Sequence, residues 1–187
     1  MTKAQASERG RGLDDADEAA VTRQLGRVPR GVVGVAHRCP CGEPDVVTTE
    51  PVLPDGTPFP TLYYLTCPRA AAAIGTLESS GLMRRMEQRL EAEPQLAADY
   101  RAANEAYLRE RAEFGDVPQI EGISAGGMPT RVKCLHVLVA HALAAGPGVN
   151  PLGDEALAAL PEWWRPVSCH DADLEADGLP GDAEGGS

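Results

Sequence analysis

Gly126-Gly127-Met128-Pro129-Thr130-Arg131-Val132-Lys133-Cys134-Leu135-His136-Val137-Leu138-Val139-Ala140-His141-Ala142-Leu143 is the stretch on which the reading of this chain turns. A glycine turn feeds a segment that is apolar on every side of a helical axis, and Gly146-Pro147-Gly148 stops it. A helix without a polar face has no side to offer water, so it belongs in the middle of a domain. The spacing predicts this helix over about 129–145, with Pro129 in its first turn. Arg131, Lys133, Cys134 and His136 crowd its start.

Outward from that helix, the preceding segments are its scaffold. Residues 94–114 place Leu96, Ala97, Tyr100, Ala103, Tyr107 and Leu108 on one stripe, opposite the charged Arg109, Glu110, Arg111 and Glu113. Leu82, Met83, Met86 and Leu90 make a shorter helix that Pro94 interrupts, and an alanine run opened by Pro68 makes another that stops near Gly81. Further back, residues 32–37, 45–50 and 61–66 carry the β-branched and aromatic character of strands. Pro54-Asp55-Gly56 marks a turn between the last two. Asp14 or Asp15 caps a first helix containing Val21 and Leu25, which Gly26 and Pro29 close. Beyond the central helix, Asn150-Pro151-Leu152-Gly153-Asp154 turns into a short helix with Asp154 as its cap, and Trp163-Trp164 ends the ordered part.

These elements specify an α+β domain over residues 13–168. It is a small, mostly antiparallel three-stranded sheet packed against four or five helices, around one buried central helix at about 129–145. Residues 1–12 read as a flexible arm and 169–187 as a disordered acidic tail. A length of 187 residues suffices for one real core. The net charge is −11, from 28 acidic and 17 basic residues. Six of the acids fall in 171–187, leaving 22 on the rest of the chain. That balance argues against broad nucleic-acid binding, and an aromatic content of 4% gives little for stacking bases. No run reaches the roughly 20 apolar residues of a membrane span, and the first 20 residues have no secretory apolar stretch, so the expected location is the cytoplasm.

Five cysteines in a reducing compartment point to burial, metal ligation or chemistry rather than to disulfides. In Cys39-Pro40-Cys41-Gly42 the proline and glycine tighten a turn so that two thiolates converge, although zinc knuckles more often space their cysteines by two residues. Cys67 lies in a similar Cys-Pro context at a strand end. Cys134 falls in the first turns of the central helix, where the dipole favours a thiolate. Cys39, Cys41, Cys67 and Cys134 are therefore the expected ligands of zinc or an iron–sulfur cluster. The competing reading is a turn plus two small core residues. Helix geometry argues against histidine partners for Cys134. His141 lies seven residues on, about 10.5 Å along the axis, and His136, two residues on, points to nearly the opposite side. His37 is the reserve ligand, and Cys169 is set aside as bordering the tail.

Gly126, Gly127, Arg131 and Lys133 form a second candidate, an anion site at a helix start. The letters do not match a phosphate-binding P-loop. A nucleophilic Cys134 would need His37 as its base. No catalytic residue is identified.

Six blocks then stand out in order: Arg38-Cys39-Pro40-Cys41-Gly42, Leu53-Pro54-Asp55-Gly56-Thr57-Pro58-Phe59-Pro60-Thr61, Tyr63-Tyr64-Leu65-Thr66-Cys67-Pro68, Gly126-Gly127-Met128-Pro129, Arg131-Val132-Lys133-Cys134-Leu135-His136 and Asn150-Pro151-Leu152-Gly153-Asp154. Together they resemble a bacterial family of unknown function, numbered 501 and typical of high-GC Gram-positive bacteria. The resemblance spans about residues 22–160. It implies a bacterial cytosolic protein and supplies neither an activity nor a catalytic residue.

Three functional expectations follow. The first is a metal-binding domain through the four cysteines. The second is a small hydrolase or transferase that takes a phosphorylated or anionic ligand at 126–133, with Asp55 or His37 assisting. The third is a non-catalytic adaptor whose N-terminal helix or acidic tail meets a protein partner.

Overall fold

The computed structural model describes residues 12–165 and Cys169; all of the predicted N-terminal arm but Gly12, and all of the acidic tail but Cys169, lie outside them. The order of elements is α1 (Asp15–Leu25), β1 (Val32–Arg38), β2 (Pro44–Thr49), β3 (Tyr63–Leu65), α2 (Pro68–Ser79), α3 (Leu82–Ala92), α4 (Pro94–Ala112), a 3₁₀ turn (Pro118–Ile120), α5 (Leu135–Ala145) and α6 (Pro151–Ala158). This is an α+β fold. None of the described helices is long and apolar enough to cross a membrane.

The sheet is antiparallel in the order β1-β2-β3, with Val35 opposite Val47 and Val46 opposite Leu65. All six residues of the central strand β2 are buried, so both faces of the sheet are covered there. One face carries Val46 and Tyr63 into the main core. The opposite face carries Val47 and Tyr64 toward Leu25 and Phe59. Asp14 caps α1 by accepting the Asp17 N–H at 2.8 Å, and Asp17 in turn holds both guanidinium nitrogens of Arg38, at 2.6 and 2.8 Å.

Punctuation by proline and glycine sets the middle of the chain. Pro68 opens α2, Gly81 reverses the chain at φ +80°, and Pro94 opens α4. Tyr100, Ala103 and Tyr107 form the buried stripe of α4. Arg111 on the same helix is also buried, and its guanidinium donates to the carbonyls of Pro60, Ile120 and Ile123 at 2.6–2.9 Å. A residue assigned to the charged face thus ties the 60s loop to the 120s loop.

α5 lies across all three strands. Leu135, Leu138, Val139, Ala140, His141 and Ala142 on it are buried, as an all-apolar helix requires. It begins at Leu135, however, and not near Pro129. Gly126 and Gly127, at φ +72° and +94°, turn the chain so that their carbonyls accept the N–H groups of Lys133 (2.8 Å) and Arg131 (2.9 Å). Those donors close a loop in place of a first helical turn, and Cys134 remains extended at φ −157°, ψ 116°. A Cβ on Gly127 would stand 2.9 Å from the Arg131 carbonyl oxygen, so only glycine fits there. At the far end, the side chain of Asn150 caps α6 through the Gly153 N–H at 3.0 Å. Asp154, the expected cap, instead accepts the Gly148 N–H at 2.8 Å.

Candidate metal centre

The β1–β2 turn is closed by Cys39 N–H to Glu43 O (2.9 Å) and Gly42 N–H to Cys39 O (2.8 Å), with Gly42 at φ +95°. Pro40 narrows the backbone choices between the two cysteines. The sulfurs of Cys39, Cys41 and Cys169 consequently stand within 4.8 Å of one another. Cys67, the residue before α2, is wholly buried and brings its sulfur to 3.6 Å from that of Cys169, while Cys39 Sγ lies 3.8 Å from the same atom. Cys169 is therefore the hub of a four-sulfur group supplied by the hairpin turn, the start of α2 and the chain beyond α6. All four are free thiols, packed against Ala70 and Trp163.

Burial dominates the electrostatics. It pushes the Cys39 thiol up to about 11, with the Cys41 N–H acting in the opposite sense. Cys67 is raised chiefly by burial, and Cys169 is raised by burial and by the neighbouring Cys67. For Cys41 burial also acts upward, but the N–H groups of Glu43 and Cys169, together with the thiols of Cys39 and Cys169, outweigh it and the net shift is downward. Four sulfurs gathered with little access to water form a site whose natural complement is a soft cation, since a coordinated thiol gives up its proton. The nearby cysteines can hold a metal ion.

Cys134, expected as the fourth ligand, is not in this group. It stands just before α5, beside His136 and Glu78, whose ligand atoms lie within 4.8 Å of its own. Cys67 precedes the first residue of α2 and Glu78 is on its last turn; eleven residues at 1.5 Å each put the two groups about 16 Å apart along that helix. The pairing of Cys134 with His136 overturns the argument that two residues of separation point them apart. That argument assumed a helix already formed at 134, whereas Cys134 is extended and only His136 is helical. Cys169, set aside as a border residue, is the missing sulfur. The signal for it is the Trp163-Trp164 pair just upstream: Trp163 is buried against the other cysteines and anchors the chain beside them.

The reserve ligand His37 is also elsewhere, with Nδ1 2.7 Å from Oδ1 of the buried Asp45. The expected anion site is closed from within. Gly126 and Gly127 precede α5 by a loop, and internal carboxylates take the N–H groups near the helix start. Glu78 accepts from Leu135 at 2.7 Å and Glu87 from Val132 at 3.1 Å. Arg131 faces Glu87 at 3.8 Å, and Lys133 lines the same shallow cleft. Asp55, proposed to assist a transfer reaction, is a turn residue. It accepts the Thr57 N–H at 3.0 Å and pairs with Arg30 at 2.6 Å, and the Thr57 hydroxyl, foremost, with these two bonds holds its carboxyl down at about 2.

The chain belongs to a protein family of unknown function, DUF501, whose sequence profile matches residues 35–158. The match takes in Cys39, Cys41, Cys67, Glu78, Cys134 and His136 and ends short of Cys169. Neither the curated proteins nor the solved structures compared with the chain give a match.

Proposed function

We propose that this DUF501 protein is a metal-binding protein in which Cys39, Cys41, Cys67 and Cys169 hold a single structural zinc ion. The observation that carries the reading is the pair of sulfur separations at Cys169, 3.6 and 3.8 Å. A tetrahedral ion with bonds of about 2.3 Å to sulfur has edges of ~3.8 Å. A four-iron cluster puts each thiolate on a different iron and so spreads its sulfurs wider than the two separations at Cys169. Four protein ligands leave no open position, and Trp163 covers the group. The ion then serves architecture, fastening the hairpin turn, α2 and the chain end together.

Elemental analysis of tag-free protein tests this. Wild type should be colourless and carry one zinc more per chain than Cys39→Ser or Cys169→Ser. Equal metal content in all three, with all four thiols free to react in the folded protein, would refute it.

A further inference from the structure

We propose that Cys134, His136 and Glu78 form a second metal site of a different kind, a three-ligand site for zinc or a similar divalent ion with its fourth position open. His136 supplies the first argument. Its Nε2 lies 3.2 Å from the Ala71 carbonyl oxygen, which can only accept, so Nε2 carries the hydrogen. The lone pair of the neutral ring is then on Nδ1. That atom faces Cys134 Sγ at 3.7 Å and Glu78 Oε1 at 3.3 Å. Three electron-rich atoms converge on one point.

Without an ion a proton occupies Nδ1, but it meets the carboxylate only at 3.3 Å, long for a charge-assisted bond. A tetrahedral ion serves them well. Bonds of about 2.3 Å to sulfur and 2.0–2.1 Å to nitrogen and oxygen give ligand separations of ~3.6 Å for S···N and ~3.3 Å for N···O. The outer contacts are those of a metal site. Ala71 fixes the imidazole through the nitrogen that would not ligate, and the Leu135 N–H holds the Glu78 carboxylate at 2.7 Å. The sulfur receives the Val137 N–H at the start of α5.

All three residues are partly exposed, and the cleft beside them is lined by Glu78, Arg84, Glu87, Arg131 and Lys133. A divalent ion held by one thiolate, one carboxylate and one neutral imidazole has its two charges balanced and keeps one unfilled position. The ligand class is therefore water or another small neutral oxygen donor entering from the cleft. This site stands independently of the four-sulfur group.

The test compares full-length wild type with His136→Ala and Glu78→Gln after equilibration with zinc chloride and removal of loose metal. Wild type should hold one zinc more than His136→Ala, and zinc should slow alkylation of Cys134 by iodoacetamide, mapped by peptide mass spectrometry, at least about tenfold. Glu78→Gln, which removes a direct ligand, should weaken this protection in zinc concentration by at least the ~10–100-fold that loss of an outer partner costs. Retention in His136→Ala of the zinc that Cys169→Ser loses would show a folded variant and locate the loss at this end. Should wild type hold one zinc and His136→Ala none, this site stands and the four-sulfur reading falls. Equal zinc in wild type and His136→Ala, or alkylation of Cys134 indifferent to zinc, overturns the proposal and leaves a thiolate–imidazolium pair.

Discussion

The two ends of α2 present the same element, cysteine, in opposite settings. At the N-terminal end Cys67 meets three further sulfurs under Trp163; at the C-terminal end Glu78 meets Cys134 and His136 beside an open cleft. Burial raises three of the four thiols in the first group. In the second, burial also acts to raise Cys134, but His136 and the Val137 N–H bring it down, and His136 itself rises to about 9 beside the thiol. The comparison teaches that the donor set and its cover separate a fastening from a place where a ligand can arrive.

The largest expected effect breaks the comparison at its closed end. Cys67→Ser or Cys169→Ser should cost on the order of 4 kcal/mol or more in urea unfolding, because the metal and three separate segments of chain are released together. A chelator should lower the melting temperature of wild type in the same way. A loss under about 1 kcal/mol would mean that the sulfurs pack without an ion.

His141 lies midway along the helix that joins the two ends, and it offers a pH test. It is buried, stacks on Tyr63 with centroids 5.9 Å apart, and accepts from Asn150 Nδ2 at 3.2 Å; burial holds its pKa down at about 4. Between pH 6.5 and about 4 the unfolded chain takes up a proton that the folded chain refuses. Its stability contribution is therefore complete above pH 6.5 and lost as pH falls toward 4, by about 3 kcal/mol. In His141→Gln this share of the pH slope should disappear, while the share from sulfur ligands persists. Denaturant midpoints for both proteins at pH 7.5, 6 and 5 provide the check, and identical slopes would refute it.

Gly153 gives a slightly smaller effect. A Cβ there would stand 2.3 Å from the Leu138 carbonyl oxygen, so Gly153→Ala should force α6 off α5 and cost about 1–3 kcal/mol. Since α6 leads the chain toward Cys169, the variant should also hold the closed-end zinc more weakly, by chelator competition, without altering zinc protection of Cys134. Equal weakening at both ends would show that α5 couples them.

Much of this arrangement was legible in the letters. Pro68, Gly81 and Pro94 delimit helices by backbone rules that hold wherever they occur, and the apolar run after Cys134 had to be central. Two things were not legible. The start of α5 depends on which carbonyls capture the N–H groups of Arg131 and Lys133, a choice made by two positive-φ glycines in three dimensions. That choice decided whether Cys134 and His136 could meet. Cys169 was missed because it lies next to a polar, acidic tail, and local composition does not reveal that Trp163 packs against Ala70 and Cys67.

The smallest predicted effect sharpens the contrast most. Cys134 is partly exposed and precedes the helix without a side-chain capping bond. Removing its sulfur opens no closed cavity, and Glu78 continues to hold the Leu135 N–H. Cys134→Ala should therefore change unfolding free energy by less than about 1 kcal/mol in metal-free buffer, within the range of substitutions that touch no core. Zinc should stabilise wild type over Cys134→Ala only through ligand linkage, by an amount that grows with the logarithm of free zinc. A large loss in metal-free buffer would mean that the thiol packs as a core residue, and the two ends of α2 would then differ in degree rather than in kind.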